Sequence, residues 1–143
     1  MADDRQIIYT SSINPQEGLE DENSNLHWIQ DSDIKTALGG TGIVDVASTQ
    51  ASDWYKSSVN VDTTGVYPTA DGDSDTILFF YVKNKSEGSD NILISFNKDG
   101  TGAYNIQVSP GEAFAARLSS ITGDKLHIKS SAGVLEVELI AAK

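Results

Sequence analysis

The chain has 143 residues, 21 acids against ten Lys and Arg, a net charge of −11 and no cysteine. That length suits one domain, or one domain with an arm, and a chain of this size buries about two-thirds of its unfolded surface. The cysteine count excludes disulfides, thiolate metal sites and a Cys nucleophile. No run nears the ~20 apolar residues of a membrane span, and the acidic surface disfavours nucleic acid and anionic membranes. The charge is uneven. Residues 76–143 carry seven acids (Glu87, Asp90, Asp99, Glu112, Asp124, Glu136, Glu138) and seven bases (Lys83, Lys85, Lys98, Arg117, Lys125, Lys129, Lys143). The whole net charge therefore sits in residues 1–75, as a solvated acidic face or as an acidic arm that docks on a basic partner.

In chain order, the start Met1-Ala-Asp-Asp-Arg-Gln lacks a basic then apolar leader pattern, so the protein is expected to act where it is made, or to leave by lysis. Arg5–Thr10 reads as a strand, residues 17–25 as an acidic loop, and Leu26–Gln30 as a second strand. Asp33–Leu38 with Gly39-Gly40 reads as one helical turn with a glycine cap, and Ile43–Val46 as a strand. Trp54-Tyr55 is an aromatic pair in a polar stretch.

From Thr76 onward the reading sharpens. Thr76–Lys83 is a near-continuous apolar run that suits a central strand covered on both faces. Ile92/Ile94/Phe96, Tyr104/Ile106/Val108, Phe114/Ala116/Leu118, Leu126/Ile128 and Leu135/Val137/Leu139 each alternate with polar or small residues. Asp99–Gly102 and Pro110-Gly111 supply turns between them. Six strands at this spacing predict an all-β fold, an antiparallel β-sandwich of jelly-roll-like kind. The expected division is an irregular acidic N-terminal arm, 1–42, and a β-sandwich, 43–143.

Chemistry is sparse. Asp71, Asp73 and Asp75 place carboxylates at alternate positions and are a calcium candidate. The EF-hand pattern fails, with Thr76 where glycine is needed and Val82 where the bidentate Glu is needed; a plain acidic turn is the simpler reading. Gly39-Gly-Thr-Gly42 lacks the Lys-Ser/Thr of a Walker loop. Only His27 and His127 could serve a triad or, with carboxylates, zinc. His127 is expected to face solvent and His27 to be packed or interfacial. No nucleophile elbow occurs, and the reading is non-enzymatic with no cofactor beyond the calcium candidate. Trp28, Trp54 and Tyr55 are partner-binding candidates, weighed against ordinary core aromatics. Ile77, Phe79 and Tyr81 form an apolar strand face that could be a subunit seam.

Lys83-Asn84, Tyr104, Pro110-Gly111-Glu112, Phe114, Leu118, Ile128-Lys129-Ser130 and Gly133 together form a pattern. It resembles one that recurs in small structural proteins of tailed bacteriophage virions, and covers residues 76–143. The resemblance implies a sandwich that decorates or completes a virion, as a capsid decoration (cement) protein or a tail or fibre appendage. It implies the major capsid protein or other virion proteins as partners, homo-oligomers (trimers or dimers), and assembly into the virion in the host cytoplasm. The alternative is a tail or fibre adhesion module for carbohydrate or receptor, using Trp28, Trp54 or Tyr55.

Overall fold

The computed structural model describes residues 3–30, 38–48, 54–69, 73–98 and 102–143, with side chains described outside 3–5, 45–48 and 54–57. The described chain is all-β, without helix. Its strands are β1 (Asp3–Ile13), β2 (Gln16–Glu20), β3 (Leu26–Gln30), β4 (Leu38–Ser48), β5 (Trp54–Val61), β6 (Phe79–Asn84), β7 (Ile92–Ser95), β8 (Ile106–Val108), β9 (Ala113–Arg117), β10 (His127–Ser130) and β11 (Leu135–Ala142). It divides into two compact units, Ile8–Ile43 and Met1–Ile7 with Val44–Lys143.

The larger unit holds a four-stranded sheet in the order β5-β11-β6-β9 and a three-stranded sheet in the order β10-β7-β8. All pairings in both are antiparallel, and the barrel is not closed. β11 is central because its residues 135, 137, 139 and 141 point one way, and all four are apolar and buried. These meet Phe80 and Val82 from β6 and Val61 from β5. The other sheet adds Ile92, Ile94, Val108 and Ile128 to the same hydrophobic core. Removing each such side chain from water stabilises the fold by about 1.5–3 kcal/mol. Phe80, Phe114 and Phe96 form an aromatic run, with ring centroids 6.5 and 6.2 Å apart.

Asn84 is the polar pin of this core. It is fully buried, and its Nδ2 donates to the carbonyls of Asp90 (2.9 Å) and Val108 (3.1 Å). Its Oδ1 accepts from Ser86 N–H (3.0 Å). Its main chain holds the Pro110-Gly111 turn: Asn84 N–H donates to Glu112 O, and Gly111 N–H donates to Asn84 O. In that turn Glu112 N–H closes on Ser109 O, and Gly111 has φ +80°. Proline second and a positive-φ glycine third is the type II pattern. Ser109–Glu112 thus joins β8 to β9 by local means: proline sets the first bend, and glycine takes the second without strain.

Three expectations change. His127 is not solvent-facing but only 4% exposed. The outer side of β10 is covered by Tyr67, edge-on at 4.7 Å, and by Tyr104, whose hydroxyl shares a 2.9 Å hydrogen bond with His127 Nδ1. Gly39 and Gly40 do not cap a helix; they lie within β4, where a Cβ on Gly39 would strike the Ser11 carbonyl. The proposed helical turn over 33–37 lies outside the described residues. The acidic loop at 17–25 begins as strand, since 17–20 belong to β2.

Candidate interaction surface

Among the described residues of the Ile8–Ile43 unit, many large apolar side chains are exposed. β2 and β3 form an antiparallel hairpin with register Gln16↔Gln30, Gly18↔Trp28 and Glu20↔Leu26. Gly18, Trp28 and Leu26 therefore share one face, and Leu19 and Ile29 lie on the other. A Cβ on Gly18 would come 2.8 Å from Leu26 Cδ1 and 3.5 Å from the Trp28 ring. Glycine here lets the two large side chains close over the backbone. All five β3 residues are exposed, Trp28 to 63%. Ile8, Ile13, Leu19, Leu26, Ile29, Leu38 and Ile43 are exposed as well. Such a density of bare apolar groups on one short segment is the mark of a surface that meets something. An isolated two-stranded hairpin is marginal in water, which sharpens the point.

The hairpin is held at its turn by Asp21. One carboxylate oxygen accepts from the N–H groups of Asn23 (2.8 Å) and Asn25 (2.9 Å). The other accepts from Asn25 Nδ2 (3.2 Å) and from His27 Nε2 (3.0 Å). The bond from His27, then those from the Asn25 and Asn23 amides, lower the Asp21 pKa from the usual 3.8 to about 2. A carboxyl with a depressed folded pKa contributes its ordering above the unfolded value and loses it as pH falls through the folded one. The turn is therefore expected to keep its Asn23 and Asn25 amide shifts down to about pH 3 and to lose them with a midpoint near 2. An NMR titration reads this directly, and a midpoint at or above 3.8 would contradict the geometry.

The remaining predicted residues fall in different places. Trp54 and Tyr55 lie in β5 opposite Ala142 and Ala141, and their side chains lie outside the described set. Ile77 (0% exposed) and Phe79 (2%) are buried within the chain, so the seam expected from Ile77/Phe79/Tyr81 is not open as a face. The run alternates out of phase with that expectation, because Ile77 precedes β6 and joins the core with Phe80 and Val82. Tyr81 alone stays on the outer face, half-buried, donating to Glu138 (3.3 Å).

Asp71 lies outside the described residues. Asp73 and Asp75 both accept from Lys143 Nζ at 3.1 Å. Burial would raise the Asp73 pKa, but bonds from Asp75 N–H and Lys143 outweigh it and hold it below the usual value. The lysine thus already supplies the positive charge that these two carboxylates attract. Among the described residues, no three His, Asp or Glu side chains stand together to hold a metal ion.

No protein family, curated protein or solved structure matches this chain. The surface must be read from its own geometry.

That geometry was half legible. The sequence marks Trp28 as a partner-binding candidate against an ordinary core aromatic, and Leu26–Gln30 as a strand; the exposure of the ring is what the structure adds. Leu19, Leu26 and Ile29 were missed as contact residues, although a strand with Leu26, Trp28 and Ile29 beside a glycine in its partner was the available signal. β2 hid because Gln16, Glu17 and Glu20 give it no apolar period.

Proposed function

We propose that this chain is a non-enzymatic structural protein of a tailed bacteriophage virion, a decoration or cement protein that binds the major capsid protein and stabilises the shell. The observation that carries the reading is the hairpin of the Ile8–Ile43 unit, with Trp28, Leu19, Leu26 and Ile29 bare on both its faces. A protein that works by burying surface between neighbours needs such a segment, and needs no reactive groups. The resemblance of residues 76–143 to small virion structural proteins supports it. So does the clustering of several residues behind that resemblance, since Asn84 binds the Pro110-Gly111-Glu112 turn directly. In this reading the two sheets of the larger unit pack as a jelly-roll-like sandwich, and the chain self-associates on the particle.

The exposed Trp28 indole also favours a second reading, a tail or fibre module that binds a sugar face or receptor. Copy number in gradient-purified particles, by quantitative mass spectrometry against the major capsid protein, separates the two. A ratio near that of the capsid protein is the expected result. A few copies per particle would move the chain to the tail, with a glycan array on wild type and Trp28→Ala as the next step. Absence from particles would overturn both readings.

A further inference from the structure

We infer that the β2–β3 hairpin of one copy adds edge-on to β9 of a second copy, extending the four-stranded sheet across the two chains with Trp28 seated over Ala113 and Ala115. The receiving edge is β9. In the sheet order it has one neighbour, β6, and no second strand among the described residues. Asn84 N–H bonds Glu112 O and Leu118 N–H bonds Leu78 O, so the even residues of this segment turn their amides and carbonyls toward β6. Antiparallel pairing alternates, and Ala113 and Ala115 therefore turn theirs outward. Both are exposed. Sheet edges are usually blunted by lysine, proline or bulges. The Ala113–Arg117 strand has none of these, and nothing bulkier than methyl groups stands outward until Arg117.

The hairpin offers what that edge lacks. β3 has the same five-residue length as β9, an unpaired side among the described strands, and large side chains in place of small ones. Ala115 lies opposite Tyr81 in register, on the face away from Phe80 and Val82. An incoming Trp28 on that face would meet a methyl floor beside a tyrosine ring, the aromatic-to-neighbour contact that stabilises strand pairs. Main-chain bonds supply affinity and the side-chain seat supplies selectivity, as in strand addition generally.

Charge favours the pairing. The hairpin holds Glu17, Glu20, Asp21 and Glu22 and no Lys or Arg. The β9 edge has Lys83 opposite Ala113 at one end and Arg117 at the other. Two chains of net charge −11 repel overall, but these local patches attract at the short range where charges are least screened. The contact is between different patches on the two copies, so each copy offers one hairpin and one β9 edge to its neighbours.

The inference is independent of the virion reading, because it is read on the purified chain. Analytical ultracentrifugation of the full chain from 1 to 200 µM should show a concentration-dependent oligomer. Trp28→Ser and Ala115→Pro should each weaken association at least tenfold, with unchanged far-UV circular dichroism. The proline removes an outward N–H and leaves the β6 bonds intact. A one-to-one mixture of the two variants should recover a heterodimer, since each keeps the half the other lost. A wild-type monomer at 200 µM, variants that associate as wild type, or a mixture without heterodimer would each overturn it. If Ala115→Pro fails to fold, Trp28→Ser, on an exposed side chain, still decides the question. Particle copy number is untouched by any of these results, so the two failures are distinguishable.

Discussion

Asn84→Ala is expected to destabilise the protein by about 2–4 kcal/mol, because it strands one buried and two partly buried backbone groups at once. The carbonyls of Asp90 and Val108 lose their Nδ2 donors, and Ser86 N–H loses its acceptor. The Val108 carbonyl in particular is shut away from water, in a site where Asn84 is fully buried. The consequence extends along the chain: Val108 ends β8, and Ser86 lies in the loop to β7. Urea unfolding should show a lower midpoint with an unchanged slope. Asn84→Asp should be at least as damaging, since it replaces the amide donors with a carboxylate facing two carbonyl oxygens. A loss below about 0.5 kcal/mol for the alanine variant would mean the side chain is not the pin described.

Phe80→Ala is expected to cost more, about 3–5 kcal/mol, through lost burial and the cavity left behind. Phe80 lies at 0% exposure between β11 and β9 and touches the Phe114 ring side. Against a typical total of about 5–15 kcal/mol, that loss would bring the larger unit near its unfolding threshold at 37 °C. Phe114→Ala, at a half-buried ring, should cost clearly less. Thermal melts of the two variants side by side check the order. Equal losses would place the two rings in equivalent surroundings, contrary to the packing.

The order of these effects follows from what could be read in the residues and what could not. β6 through β11 were legible because each puts apolar side chains at alternate positions into one core, and that requirement is written locally. β5 was not legible. Ser57, Ser58 and Asn60 give it no apolar rhythm, and its strand form comes from pairing Val61 with Leu135 and Trp54 with Ala142. His127 was misplaced for a related reason: alternation says which residues share a face, but not whether a distant loop covers that face. Tyr67 and Tyr104 do so here. In the same way, Trp28 was legible as a partner-binding candidate but its exposure was not, since a core aromatic reads the same in the sequence, and Ile77 and Phe79 were not separable from an open seam. Whether an apolar strand face meets solvent or its own chain is decided by tertiary packing, which no local pattern records.

The central place of β11 bears on how the molecule is made. β5 and β6 do not pair with each other; both pair with β11, which follows them far along the chain. While residues up to about 130 are emerging from a ribosome, the strands that will flank β11 have edges and apolar faces with nothing between them. The larger unit therefore gains most of its cooperativity in one late step, when 135–142 slot between strands already synthesised. Sheets closed by such distant pairings fold slowly, on a scale of roughly milliseconds to seconds. A chain cut short before Leu135 should be a substrate for chaperones and proteases rather than a smaller working protein.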